Sequence, residues 1–201
     1  MARRALVSLV LALSAALSWQ YPGDLLPKSG ALEAAAFAAA EDADEAVACG
    51  LAPNQDGATV SGRATMDRIE LELVHLANQD RVRSGIPTLE LDQHLLPVAR
   101  TRAAAQVAAL PLSHADASGG QAFIRLIDEM DLGHWLAGEN LIRLDGQAAS
   151  AAERAEQGFM NSPMHRANIL DPSFESLAVG AAIDSQCHIV LVQLFRAEGR
   201  R

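Results

Sequence analysis

Lysine is almost missing from this chain. Lys28 is the only one, and every other positive side chain is an arginine. The formal charge is −9 at pH 7, and no basic stripe interrupts it. That balance argues against nucleic acid as the main partner, because phosphate binding needs concentrated positive charge. Aromatic residues are also scarce, at 4% of a chain that is 50% hydrophobic. A core of useful size therefore has to be built mainly from Ala, Leu, Val and Ile. Cysteine occurs twice, at Cys49 and Cys187, so one intramolecular bridge is the most the chain can make. The apolar run from Ala5 to Trp19 falls short of the ~20 residues that a membrane span requires. No internal repeat is visible, which sets repeat architectures aside.

What is present begins with a leader. Arg3 and Arg4 precede the apolar run, and Ala16-Leu17-Ser18 supplies small residues where a signal peptidase cuts. Residues 1–18 read as a cleaved secretory signal, with an uncleaved anchor as the alternative. Membrane contact is expected only through that segment if it is retained. No Cys follows closely enough to suggest a lipoprotein. Export permits a Cys49–Cys187 disulfide that would tie the N-terminal extension to a late strand. Two unrelated thiols are the other possibility, and the sequence leaves both open. Residues 19–66 read as an extension. They carry turns at Tyr21-Pro22-Gly23-Asp24 and Pro27-Lys28-Ser29-Gly30, then an Ala-rich stretch that can bury little area.

The compact part spans 67–197, followed by a short tail, 198–201. Ile69, Leu73, Leu76 and Ala77 recur at helical spacing up to Ser84, where Gly85 and Pro87 supply stop signals. Leu89 and Leu91 flank Glu90 in a short extended link. Asp92 is a good N-cap for a helix carrying Leu95, Val98, Ala99 and Ala103, which Pro111 ends. A third helix covers Gln121 to Met130, closed by Gly133. A fourth covers Ala148 to Met160 and ends before Ser162-Pro163. Leu177 to Ile183 and His188 to Phe195 are β-type runs joined by Asp184-Ser185-Gln186. A segment from Glu139 to Leu144 offers a further strand. This is an α+β domain with about four helices around a small antiparallel sheet.

Three chemistry-bearing residues stand at the edges of these elements: His114, Glu139 and His165. Two imidazoles and a carboxylate suit Zn²⁺ with an open position, hence a metal-dependent hydrolase. The alternative is a hydrogen-bonded polar cluster, with Glu139 accepting from both imidazoles. No HExxH helix places two ligands on one face. Ser113 beside His114 and Ser162 near His165 are residue types without roles, and no GxSxG elbow is present. Ser162-Pro163 is expected to end the fourth helix. Arg166 is expected to pair with Glu139 or Asp171, Asn140 to cap a turn that holds the Glu139 loop, and Asn168 to bond local backbone. Asn78 and Arg81 are expected to hold the first helix against a neighbouring loop. His75 and His94 read as surface residues, His134 and Trp135 as a wall, and His188 as strand-edge packing beside Cys187.

Taken in order, the motifs resemble the CAP superfamily, or SCP domain, in its bacterial secreted form. The resemblance covers about two-thirds of the chain, from Met66 to Arg196. It rests on Asn78-Gln79-Asp80-Arg81 with Gly85 and Pro87-Thr88-Leu89, then Ser113-His114. Gly138-Glu139-Asn140-Leu141 and Ser162-Pro163-Met164-His165-Arg166-Ala167-Asn168-Ile169-Leu170 follow, and Val192-Gln193-Leu194-Phe195 closes it. The resemblance implies an α-β-α sandwich with one open cleft, lined in many members by two His and two Glu, some of which bind a divalent metal. By motif, His114, His165 and Glu139 fill three of those places, with Asn140, Ser162, Arg166 and Asn168 in support. The second Glu has no match, because the matching position is Ser162. Glu153 and Glu156 are the nearest acids. Met164 replaces the usual Gly before the second His, which would narrow the cleft mouth. The family implies an extracellular or periplasmic binding module, non-enzymatic, needing no cofactor beyond a possible Zn²⁺, with a lipid, glycan or protein as partner.

Overall fold

A computed structural model describes residues 49, 62–107, 109, 111–146 and 148–199. The expected leader and most of the extension lie outside the described residues. The first helix, α1 (Gly62–Arg83), starts ahead of Asp67. The reason is Met66, which is fully buried and continues the Ile69–Leu73–Ala77 stripe by one more turn. Its end is as the sequence suggested. Gly85 takes a left-handed φ of 73°, its N–H reaches Val82 O at 3.0 Å, and Ile86 N–H reaches Arg81 O at 3.1 Å.

The link that follows is a true strand, β1 (Glu90–Leu91), and it runs parallel to β3 (Ser176–Ile183). The sheet is therefore mixed, not purely antiparallel. Asn78 does on the α1 side what a neighbouring strand would do. Its amide donates to Leu89 O at 3.0 Å and accepts from Leu89 N–H at 2.7 Å. Asp92 caps the next turn as expected, its Oδ1 accepting from the N–H groups of His94 and Leu95 at 3.0 Å. Its other oxygen takes Arg196 Nε at 2.8 Å and Nη2 at 2.6 Å, fastening α2 (Leu96–Val107) to β4 (His188–Ala197).

Two differences concern helix ends. The third helix, α3 (Ala122–Glu129), is closed by Asp131 in the left-handed region (φ 54°), not by Gly133. Leu132 N–H reaches back to Ile127 O at 3.1 Å, the bond that ends such a helix. After β2 (Leu136–Asp145) and a 3₁₀ turn (Ala148–Ser150), α4 (Ala151–Asn161) stops at Ser162, whose backbone is extended. The Pro163 that stops it also starts a fifth helix, α5 (Pro163–Ile169). Proline at the first turn has its φ preset and no N–H to lose.

The strand order is β1-β3-β4-β2, with β3–β4 and β4–β2 antiparallel. Alternate residues face two helical layers, making an α-β-α sandwich. Leu177, Val179, Ala181, Ile189, Leu191 and Phe195 pack against α1, α4 and α5, with Phe159 at the centre. Ala178, Ala182, Val190, Val192 and Leu194 pack against α2 and α3. Small residues decide how close α2 comes. A Cβ on Gly180 would fall inside the Ala99 backbone, so the helix rests directly on the strand. Beyond short β1 the edge of β3 is closed by Glu70, whose Oε1 accepts Ala181 N–H at 3.0 Å, while Arg100 of α2 binds Glu70 and Asp67 of α1. A charged edge of this kind blocks strand addition.

Cys49 and Cys187 form a disulfide with Cα atoms 5.4 Å apart. Cys187 sits in the β3–β4 hairpin with φ 63°, and its N–H closes the turn on Asp184 O at 2.9 Å. The bridge anchors residue 49 at that hairpin.

Candidate functional site

The site grows from the alternation of β2. Gly138, Glu139 and Asn140 pair with Phe195, Leu194 and Gln193 of β4. Glu139 therefore faces the α2 layer and Asn140 faces the α4–α5 layer, on opposite sides of the sheet. Gly138 must lack a side chain, since a Cβ there would come within 2.9 Å of the Phe174 ring, which stacks on Phe195.

Glu139 is buried and fully engaged. Arg102 of α2 grips it through both oxygens, Nε to Oε1 at 2.7 Å and Nη2 to Oε2 at 3.1 Å. The same Nη2 donates to Ser113 O at 2.8 Å. His114 completes the group, its Nδ1 lying 2.7 Å from Glu139 Oε2. With the carboxylate accepting at Nδ1, the His114 Nε2 is left to face outward, and that side chain is 45% exposed. Gln106 of α2 holds the loop by accepting Ser113 N–H at 2.8 Å. Sequence reasoning missed Arg102 as a site residue. The signal was there: Arg102 and Gln106 fall on the buried stripe of α2 with Leu95, Ala99 and Ala103.

His165 approaches from α5. It does not bond Glu139; its ring meets Phe159 edge-on at 5.3 Å. Burial lowers its pKa below the ordinary 6.5, and the charge of a protonated His114 lowers it further. Asn140 holds α5 in place, donating to His165 O at 3.1 Å and to Gln193 Oε1 at 2.9 Å. Asn168 donates to Asn140 Oδ1 at 2.8 Å and to Glu139 O at 3.3 Å, covering the outer edge of β2. Asn140 is thus a mid-strand hub and caps no turn, and Asn168 bonds across elements, not locally. The partner of Glu139 is Arg102, while Arg166 is exposed.

The two nearest acids do not join this group. Glu153 is exposed on α4 and hydrogen-bonds Glu72 of α1. Glu156 is buried on the opposite face of the sheet from Glu139, where its Oε2 accepts Gln193 Nε2 at 3.2 Å. Among the described residues no three His, Cys, Asp or Glu side chains are placed to share a metal ion. A metal bound through Glu139 would have to compete with the Arg102 guanidinium for both oxygens.

Other expected site residues have structural places. Ser113 Oγ is tied to the Ala115 backbone at 3.1 and 3.2 Å, and the Ser162 side chain makes no cap bond. Met164 is 82% exposed. His75 bonds Gln79 one turn on, His94 is exposed, and His188 bonds Asp184 at 2.8 Å. Arg81 gathers the carbonyls of Pro87, Ile169 and Asp171, so it does organise α1 against its neighbouring loops.

A model of the cysteine-rich secretory protein family, CAP, matches residues 74–195, a stretch that holds every residue of this cluster. The chain belongs to the CAP family. It is 28% identical over 142 residues to the uncharacterized protein YkwD of Bacillus subtilis strain 168, covering 71% of this chain and 53% of that one. Among solved structures it is similar to an extracellular SCP-domain protein from Bacillus anthracis strain Ames, with TM-score 0.54 and 26% identity over 66% of this chain and 41% of that one. It is also similar in fold to an outer surface protein of Borrelia burgdorferi, with TM-score 0.55 and 17% identity over 70% of this chain and 97% of that one. The chain spans about half the length of the curated relative it matches. Within this CAP domain, His114 and Glu139 meet at 2.7 Å, while the His165 ring rests on Phe159. No helix among the described residues is long and apolar enough to cross a membrane.

Proposed function

We propose that this CAP domain is an extracellular or periplasmic binding module whose cleft presents two imidazoles, His114 and His165, to a small polar ligand. One observation carries this reading: Glu139 is spanned by Arg102 and serves to orient His114, so it is not offered as a free base or ligand. The outer surface would engage a lipid, glycan or protein. Export is supported by the Arg3-Arg4 leader pattern, by the Cys49–Cys187 bridge, and by neighbours described as extracellular and outer surface proteins.

The second reading is a metal-dependent hydrolase using His114, His165 and Glu139. The carboxylate behind His114 favours it, since such a carboxylate commonly orients a metal-ligating imidazole. Calorimetric titration of Zn²⁺ into the metal-free protein separates the two, beside a His114→Ala/His165→Ala double variant. No binding, or binding unchanged in the double variant, is the expected result. Binding near one equivalent that the double variant loses would overturn the non-enzymatic reading and justify screening for hydrolysis.

A further inference from the structure

A chain of polar side chains, buried beyond its first member, runs from α1 to the backbone of His165, and the site described above does not use its far end. Asp80 of α1 lies beside Glu156 of α4, which accepts from Gln193 of β4, which accepts from Asn140 of β2, which holds the backbone of His165. Each link joins a different element. Glu156 is 5% exposed, and its Oε1 receives no hydrogen-bond donor among the described residues.

We propose that Asp80, Glu156, Gln193 and Asn140 form a proton-dependent latch that sets the position of α5, and with it His165, against the sheet. The geometry dictates the direction. A protonated Glu156 packs beside the Asp80 carboxylate, and Gln193 bridges to α5, its Nε2 donating to Glu156 while its Oε1 accepts from Asn140. An ionised Glu156 would set a buried negative charge beside the half-buried Asp80 carboxylate across the α1–α4 interface, and would tighten its hold on Gln193 at the expense of the Asn140 bond. The groups that face it give no relief. From α1, Asp80 is held on its outer side by Arg83 at 2.9 Å, and Arg81 is committed to three carbonyls. From α4 itself, Arg154 binds the carbonyls of Asp145 and Gly146, and Glu153 pairs with Glu72 near His75. From β4 comes only neutral Gln193, and from α5 His165, whose ring rests on Phe159. Burial first, and Asp80 second, push the Glu156 carboxyl up to about 8, so the change falls at mildly alkaline pH.

The latch deepens the cleft reading by regulating the same site, but its test needs no ligand. The ring signals of His165 are followed by NMR between pH 5 and pH 10 and identified by their loss in His165→Ala. His165 itself titrates below 6.5, so any later inflection reports its surroundings. A second inflection near pH 8 is expected in the wild type. It should vanish in Glu156→Gln and move to lower pH in Asp80→Asn, which removes the neighbouring charge without touching Glu156. Amide exchange of α5 should quicken through the same pH range in the wild type only. A His165 signal that is flat above pH 7, or an inflection that persists in Glu156→Gln, would overturn the latch and leave the binding reading untouched.

Discussion

Two buried glutamates, on opposite faces of one sheet, solve the same problem in different ways. Glu139 meets a guanidinium that matches its two oxygens, plus an imidazole at the rim. Glu156 meets a neutral amide and another acid, and burial raises it to about 8. Desolvation disfavours a charge in both places, but only one is compensated by an opposite charge. The compensated residue lies next to exposed His114. The uncompensated one lies deep under α4 and is the more favourable place for a proton. The lesson is that the carboxylate marked by its motif is the fixed one, and the unmarked carboxylate is the one free to change state.

The sharpest way to break this comparison is to take away the cation. Arg102→Ala should cost about 3–5 kcal/mol, because it strands Glu139 buried without a partner. Urea unfolding at pH 7 measures it. Replacing both, Arg102→Leu with Glu139→Leu, should recover much of that loss. A loss under ~1 kcal/mol in Arg102→Ala would mean that Glu139 has ready access to water and that the pair is a surface bridge after all.

The opposite manipulation should stabilise. Glu156→Gln keeps a donor toward Asp80 and removes the ionisable proton. The folded pKa of Glu156 lies above its unfolded value of 4.5, so its share of stability is complete below 4.5 and lost as pH rises through about 8. Glu156→Gln should therefore match the wild type near pH 4.5 and exceed it by about 4 kcal/mol at pH 8, because each tenfold rise in proton affinity on folding, from 4.5 to about 8, is worth about 1.4 kcal/mol. Denaturation midpoints at the two pH values test this. A variant that is less stable at both would show that Glu156 is held by contacts that its amide cannot make.

The difference between the two acids also shows what the chain discloses in advance. His114, Glu139 and His165 were legible because each sits in a short motif, and those motifs occur in a fixed order. Arg102 was obscured because α2 reads as an apolar helix, although a charge on its buried stripe demands a partner across the sheet. Glu156 lies on the buried side of α4 with Ala152, Ala155 and Phe159, but Asp80 and Gln193 come from distant segments. Asn140 read as a turn residue because asparagine favours turns; the strand running through it to Asp145 outweighs that preference. The fold was legible at the level of layers, since helical and strand periods switch cleanly between segments. The parallel β1 was not, because two residues carry no period, and α5 was hidden behind a proline that both ends one helix and begins the next.

His165 offers a smaller, finer test. Its side chain contributes an edge contact with Phe159, while its backbone carbonyl receives Asn140, so His165→Ala leaves the Asn140–Gln193 network intact. The cost should be about 1 kcal/mol, that of one modest aromatic contact. A loss of several kcal/mol would make the ring itself a structural part and count against a dedicated ligand site. The pH dependence has the opposite sign from that of Glu156. Burial lowers the His165 pKa below 6.5, so its share of stability is present above 6.5 and lost as pH falls below that value. His165→Ala should flatten the acid side of the stability profile and leave the alkaline side unchanged, where Glu156→Gln does the reverse. If the two variants alter the same limb, the imidazole and the acid, which share the α4–α5 side of the sheet, titrate as one unit.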